Sequence, residues 1–392
     1  YPHLRHAKLM SKHLKGRLLS ERIRKTKIDN AFEKISNSLE EKEMPYTRTV
    51  PVSALIELTN VCNLNCTMCN IHDQKRPTDF MKAETFERIL DQLSEIGINS
   101  AGLYYLGETF VFPHLDKILN IAEKRNFKIH IRSNAHYAKR IDKLHKQFPN
   151  LMNSLSFSID GATKETFEKI RRGGKIEKVY ESLETIHKIN DGKIDSRIDM
   201  SIYAVLSKDN IYELPDFFKN FSKYCYPENI KFFLLESVST APGYVSENSP
   251  WPNLSPKTIP CSRPFKFVYF LHNGDVSTCC WDFDDEFVIG NIFEDSLLNI
   301  WNGTVAQEFR DKHLNPEKMD IQTCIDCVSS NKNAELLINE YIQALYSKNS
   351  SMSGQDFGNK ILDFILEMDS AVGQKNDKLL NKCIQDRFSS LN

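Results

Sequence analysis

The sequence predicts an α/β fold: an open, partial (β/α)6 barrel joined to a small α+β domain, with helical extensions at both ends. Three observations lead there. Between Ser53 and about Glu236, six β-rich segments alternate with five segments of helical length and periodicity, the pattern of βαβ units in a parallel sheet. Six such units are too few for a closed eight-unit barrel. A chain of 392 residues is also longer than a typical single domain, which leaves room for a second, smaller one.

The expected segments run as follows. Residues 1–50 form a basic helical extension, with nine Lys/Arg against one acid, Glu21, in residues 1–28. Such an arm either packs on its own domain or makes weak contact with an anionic membrane surface. Residues 51–238 form the core, with strands at 53–59, 100–106, 127–133, 154–160, 197–206 and 229–236. Helices fall near 83–96, 113–125, 138–148, 164–189 and 209–223. The Pro-, Ser- and Asn-rich stretch 239–258 reads as a linker. Residues 259–332 form the second domain, with a hairpin of strands 265–271 and 276–281 turning at Gly274-Asp275, then a helix near 295–313. Residues 333–392 form a helical extension whose apolar residues (Leu336, Ile338, Tyr341, Ile342, Leu345; Ile361, Phe364, Ile365, Met368) pack on the barrel.

A net charge of −1 gives no electrostatic case for nucleic acid. No apolar run reaches the roughly 18 residues that would suggest a membrane span. The cysteines are more informative: eight of the ten fall in two groups. In a long chain of intracellular type, clustered cysteines read as metal ligands. Cys62, Cys66 and Cys69 stand as C-x3-C-x2-C just after the first strand. Zinc closed by these thiolates and His72, or an iron–sulfur cluster with one iron left open, both fit that spacing. Cys261, Cys279, Cys324 and Cys327 fit a closed zinc site or a four-thiolate cluster equally. Cys225 and Cys383 stand alone, and the plain reading of each is a buried small hydrophobe.

Residues around these groups separate the alternatives. VCNLNCTMCN (61–70), Leu106-Gly107-Glu108-Thr109, Ser133-Asn134-Ala135, and Ser156 to Gly161 followed by Arg171 come in order after successive strands. Together they resemble the radical S-adenosylmethionine (radical SAM) superfamily. The resemblance implies a [4Fe–4S] cluster on Cys62, Cys66 and Cys69, chelating SAM through its open iron. It further implies that Gly107 and Glu108 hold the SAM amino group, that Ser133 and Asn134 contact the ribose, and that Ser158 and Arg171 hold the carboxylate. Met68 stands where the family commonly has an aromatic residue beside the adenine, and Leu106 where a first glycine is common. Cys261-Ser-Arg-Pro-Phe265, Asn273-Gly-Asp-Val276, Ile289-Gly-Asn-Ile292 and Ile300-Trp-Asn302 resemble the family's SPASM or twitch domain. With no further cysteine from Val328 to Ala334, one auxiliary [4Fe–4S] cluster is expected, on Cys261, Cys279, Cys324 and Cys327. The layout is most similar to radical SAM dehydrogenases of aminocyclitol hydroxyls.

The implied function is an oxidoreductase that cleaves SAM reductively to a 5′-deoxyadenosyl radical and oxidises a hydroxyl of a sugar-like or aminocyclitol-like small molecule. Asp282 is the candidate base, although it also reads as an exposed aspartate of a turn. Epimerisation, with Cys280 or Cys225 returning hydrogen, and maturation of a ribosomal peptide compete with it; a zinc-stabilised binding or scaffold protein is the reading outside enzymes. The expected partners are a small-molecule substrate and a flavodoxin- or ferredoxin-type electron donor, and the expected compartment is the cytoplasm.

Overall fold

The computed structural model describes residues 49–191, 197–235, 247–249, 261, 263–280, 282–326 and 332–373, with seven positions between 382 and 391. The basic arm, most of the 239–258 linker and Cys327 lie outside the described residues.

The core strands are β1 (Ser53–Ile56), the two-residue β2 (Asn65–Cys66), β3 (Ser100–Leu103), β4 (Lys128–Ser133), β5 (Ser154–Ser158), the two-residue β6 (Arg171–Arg172), β7 (Asp199–Leu206) and β8 (Ile230–Leu234). Between them lie helices α1 (Ala83–Glu95), α2 (Leu115–Lys124), α3 (Ala138–Gln147), α4 (Lys164–Ile170), α5 (Ile176–Asn190) and α6 (Leu214–Phe221). β1, β3, β4, β5, β7 and β8 pair parallel in that order. The sheet does not close, so the partial barrel expected from six units is what forms.

Alternation along each strand divides the sheet into two faces. Ile129, Ile131, Leu155, Phe157, Met200 and Ile202 join the helices in one large core. On β5 the opposite residues are Ser154, Ser156 and Ser158, small side chains that leave room on the concave side for His130 and Arg132 of β4.

The second domain does not stand apart. Its strands β9 (Phe267–Phe270), β10 (Asp275–Ser277) and β11 (Val288–Asn291) extend the same sheet, with β9 parallel to β1 and Leu55 opposite Tyr269. The β9–β10 hairpin turns at Gly274 as expected; β11 has no counterpart among the expected strands. Three helical boundaries also differ. The expected 164–189 helix breaks into α4 and α5 because Gly173 takes φ +87° and residues 171–172 pair with the cysteine loop instead. The 295–313 helix divides at Gly303 into α7 (Leu297–Asn302) and α8 (Thr304–Leu314). A short α9 (Gln322–Asp326) carries Cys324.

The C-terminal helices α10 (Lys332–Lys348) and α11 (Gly354–Gly373) do pack on the barrel. Asn339 on α10 gives its amide to the Phe232 carbonyl and receives the Phe232 N–H, both at 3.0 Å. That occupies part of the open edge of β8, which would otherwise offer free backbone groups. No helix among the described residues is long and apolar enough to cross a membrane.

A buried ion pair ties the loop after β1 to the second domain. Arg76 grips both oxygens of Glu57, at 3.1 and 2.9 Å, and donates to the Phe283 carbonyl at 3.0 Å. His272, next to the β9–β10 turn, meets the same Glu57 oxygen at 3.0 Å. Both members of the pair are almost wholly buried, so removing one leaves the other charge stranded. Arg76→Ala is expected to cost about 3–5 kcal/mol, read as a lowered denaturation midpoint of the cluster-loaded protein. A loss under about 1 kcal/mol would show that His272 alone suffices.

Candidate functional site

The loop from Asn60 to Asp79 is closed by its own polar residues. Asn60 Nδ2 donates to Gln74 Oε1 at 2.9 Å, its Oδ1 receives the Asp79 N–H, and Thr59 Oγ1 donates to the Asp79 carbonyl at 2.7 Å. Inside this frame the Cys62, Cys66 and Cys69 thiols border one small apolar cluster with Leu64, Met68, Ile170, Leu235 and Val205. Burial pushes Cys62 up to about 12 and Cys69 up to about 11, and raises Cys66; the neighbouring thiols add to each of the first two. Such a pocket resists three thiolates unless a cationic centre joins them, and that is the role an iron–sulfur cluster fills.

The zinc alternative loses its fourth ligand here. His72 Nε2 lies 2.7 Å from the Leu64 carbonyl, committed to shaping the loop. Among the described residues, no three His, Cys, Asp or Glu side chains gather closely enough to chelate a single ion.

Residues expected around SAM converge on this loop. β2 and β6 pair antiparallel, setting Cys66 opposite Arg171. Arg171 Nε donates to Asp160 Oδ2 at 2.6 Å and its Nη1 lies 3.8 Å from Cys66 Sγ. Burial works against the Arg171 charge, but Asp160 and the thiols more than offset it and hold the guanidinium protonated. Asp160 is fully buried and also receives the Val205 N–H at 2.7 Å. Sequence reasoning quoted Asp160 without a role; its spacing from Arg171 across α4 was the available signal.

Gly107 takes φ +78°, and a Cβ there would fall 2.2 Å from the Thr59 carbonyl oxygen. Only glycine lets this turn approach the cysteine loop so closely. Glu108, deeply buried, receives the N–H groups of Phe110 and Asn134 at 3.0 and 2.8 Å. It thus joins the turns after β3 and β4, and the Ser133 hydroxyl adds a third donor to the same carboxylate. Asn134 Nδ2 donates to Asn63 Oδ1 at 2.8 Å inside the cysteine loop, while its own Oδ1 is buried without a partner. Ser133 Oγ receives the Ala135 N–H at 3.1 Å. Ser158 is half-buried at the end of β5, its hydroxyl engaging no other described group.

Of the second cysteine group, Cys261, Cys279, Cys280 and Cys324 are half-buried, and Cys327 lies outside the described residues. Burial raises the pKa of Tyr269 on β9, and the charges of Cys279 and Cys261 add to it, so both cysteines lie within electrostatic reach of this side chain. Cys324 Sγ lies 3.8 Å from His313 Nε2. The exposure expected of Asp282 needs correction, whereas Cys225 takes its plain reading. Asp282 is not exposed: its Oδ2 receives Ser277 Oγ–H at 2.8 Å and the Phe287 N–H at 3.2 Å, while Oδ1 is buried and unpartnered. Burial raises its pKa to about 6. Cys225 lies in the helix-side core with its Sγ 3.3 Å from the Met200 carbonyl, away from the cysteine loop; buried small hydrophobe is its role. Tyr105, which drew no notice in the sequence, joins the two regions: its hydroxyl donates to the Cys279 carbonyl at 2.7 Å and receives the Asp282 N–H at 3.2 Å.

Comparison with known proteins bears on the same residues. Residues 56–203 match the family model of the radical SAM superfamily, and residues 261–328 that of the SPASM iron-sulfur cluster-binding domain. The chain belongs to the radical SAM superfamily. Its domains imply a [4Fe–4S] cluster, an auxiliary cluster and SAM as cofactors. This radical SAM chain is 23% identical over 279 residues to the antilisterial bacteriocin subtilosin biosynthesis protein AlbA of Bacillus subtilis (strain 168), covering 66% of the chain and 61% of AlbA. It therefore spans about three fifths of the length of that curated relative. In fold it is similar to anSMEcpe with bound AdoMet (TM-score 0.51, 15% identity, 85% of this chain and 99% of that one). It is also similar to Streptococcus suis SuiB bound to precursor peptide SuiA (TM-score 0.50, 17% identity, 77% and 74%).

Proposed function

We propose that this radical SAM enzyme oxidises its substrate, delivering one electron from the substrate radical to an auxiliary cluster on Cys261, Cys279, Cys324 and Cys327. When bound, the first cluster and SAM supply a 5′-deoxyadenosyl radical that takes a hydrogen atom from a substrate C–H bond. Cys62, Cys66 and Cys69 would hold that cluster. Arg171, steadied through Nε by Asp160, offers its remaining N–H groups to the SAM carboxylate. Glu108 would receive the amino group, Asn134 Oδ1 a ribose hydroxyl, and Met68 would pack beside the adenine.

Converting an alcohol carbon to a carbonyl removes one hydrogen atom, one electron and one proton. Asp282 is suited to take the proton: a buried carboxylate with one free oxygen and a pKa raised to about 6, three residues from Cys279. The observation that carries the proposal is the continuity of β1 with β9, which builds the second cysteine group onto the strand that leads into the first. A sugar-like or aminocyclitol-like alcohol is the substrate class in this reading. Peptide modification is the second reading, favoured by the bacteriocin biosynthesis named in AlbA and the precursor peptide bound by SuiB. Epimerisation would leave Cys280 as the hydrogen donor. A flavodoxin or ferredoxin would supply the reducing electron.

Anaerobic turnover with alcohol and peptide candidates, following 5′-deoxyadenosine and product mass, separates these readings. A product lighter by two hydrogens supports oxidation. An unchanged mass with one deuterium taken up from heavy water would overturn it in favour of epimerisation.

The SAM contact has its own test. Arg171→Ala removes a charge-assisted contact and is expected to weaken SAM binding by about 1.5–3 kcal/mol, measured by equilibrium dialysis on reconstituted protein. Unchanged binding would place the SAM carboxylate elsewhere.

A further inference from the structure

The concave face of the sheet holds a guanidinium that none of the roles above uses. On β4, His130 and Arg132 alternate onto the face away from the helices, and Asn134, just past the strand, reaches the cysteine loop. Arg132 therefore lies two residues, about 7 Å along the strand, below that loop. Its guanidinium carbon is 4.5 Å from the Tyr104 ring centre and 4.1 Å from that of Tyr203, with Phe233 at 6.0 Å. Tyr203 and Phe233 are themselves stacked, with centroids 5.4 Å apart. The three inward serines of β5 make room for this: His130 bridges Ser154 Oγ at 2.6 Å and Ser156 Oγ at 2.9 Å, and Arg132 Nε reaches Ser156 Oγ at 3.4 Å.

What the cage lacks is an anion. Among the described residues no carboxylate pairs with Arg132; Asp199, exposed at the start of β7, acts on His130 instead. A guanidinium inside a barrel is costly when unpaired, and aromatic faces offset only part of that cost. Arg132 is half-buried, and among the described residues only its Nε is hydrogen-bonded, which leaves Nη1 and Nη2 for a further acceptor. A planar fork with free edge donors, under the loop that would hold SAM, fits an oxyanion two-pronged.

We infer that Arg132, seated between Tyr104 and Tyr203, is a specificity-determining residue that receives an anionic oxygen group, carboxylate or phosphate, of the substrate. The inference rests on the proposed function, with the substrate entering the concave side of the sheet beside the cysteine loop. It narrows the substrate class to an alcohol that also carries a carboxylate or phosphate.

Equilibrium dialysis of radiolabelled acetate and, separately, inorganic phosphate against anaerobic, reconstituted, SAM-loaded enzyme tests it. Wild type should retain one of the two at about one per chain, and which one identifies the group. Arg132→Gln should weaken that binding about tenfold or more, and Arg132→Lys, which keeps charge but not the fork, by less. SAM affinity and dithionite-driven 5′-deoxyadenosine formation should stay at wild-type level in both variants. If Arg132→Gln does not hold its clusters, Arg132→Lys decides: anion affinity equal to wild type overturns the inference. So would retention of neither probe, or a fall in SAM affinity matching the fall in anion affinity, which would give Arg132 to SAM. Wild type that binds no SAM and forms no 5′-deoxyadenosine would instead overturn the radical SAM reading itself.

Discussion

Replacing Cys62, Cys66 and Cys69 together by alanine should reduce 5′-deoxyadenosine formation under dithionite to background. The size of the effect follows from the absence of substitutes. His72 is held on the Leu64 carbonyl, and Asp160 is shared between Arg171 and the Val205 N–H. Neither can move into the thiol pocket without breaking a hydrogen bond that shapes the site. The fold should survive, because the loop is pinned by backbone pairing of β2 with β6 and by Asn60 and Thr59, none of which involves sulfur. The variant should therefore keep its circular dichroism and its second cluster while losing SAM cleavage, followed by chromatography of the nucleoside. Retained cleavage would mean that the three thiols are not the ligands.

The second large effect concerns the auxiliary centre. Reconstituted wild type should contain about eight irons per chain, and the Cys324→Ala, Cys327→Ala double variant about four, from four irons in each cluster. That variant should still cleave some SAM but lose the oxidised product, since the substrate radical would have no electron acceptor. The centre's potential would be set by burial and hydrogen bonding around its sulfurs; His313, 3.8 Å from Cys324, is one such group. About four irons with one zinc in wild type would contradict electron transfer through this domain and make a redox-neutral outcome the leading one.

Much of this was legible in the sequence for a physical reason. Parallel strands covered by helices need apolar runs at one period and amphipathic runs at another, and the segments from Ser53 to Glu236 show both. The cysteine loop and the turns carrying Gly107, Glu108 and Arg171 are local and ordered along the chain, so the resemblance to the radical SAM superfamily could pick them out where spacing alone left zinc and an iron–sulfur cluster open. Less legible were contacts made across the sheet. Tyr105 and Arg76 join the two domains through partners over a hundred residues away, and no local pattern marks them. Burial of Asp282 depends on how the hairpin folds back onto β1, so its turn-like surroundings suggested exposure instead. No local pattern marks Arg132, because its aromatic neighbours come from three different strands or strand ends. Residues 171–174 fell inside the expected 164–189 helix, because their pairing with the cysteine loop is a tertiary effect that overrides helix periodicity.

The most direct test of the cysteine loop as a SAM-binding cluster site is electron paramagnetic resonance of the dithionite-reduced protein, recorded before and after SAM is added. Two reduced-cluster signals are expected, of which one shifts with SAM and disappears in the Cys62/Cys66/Cys69 triple variant while the other is unmoved. A spectrum with no cluster signal, or one that SAM leaves unchanged, would contradict the assignment.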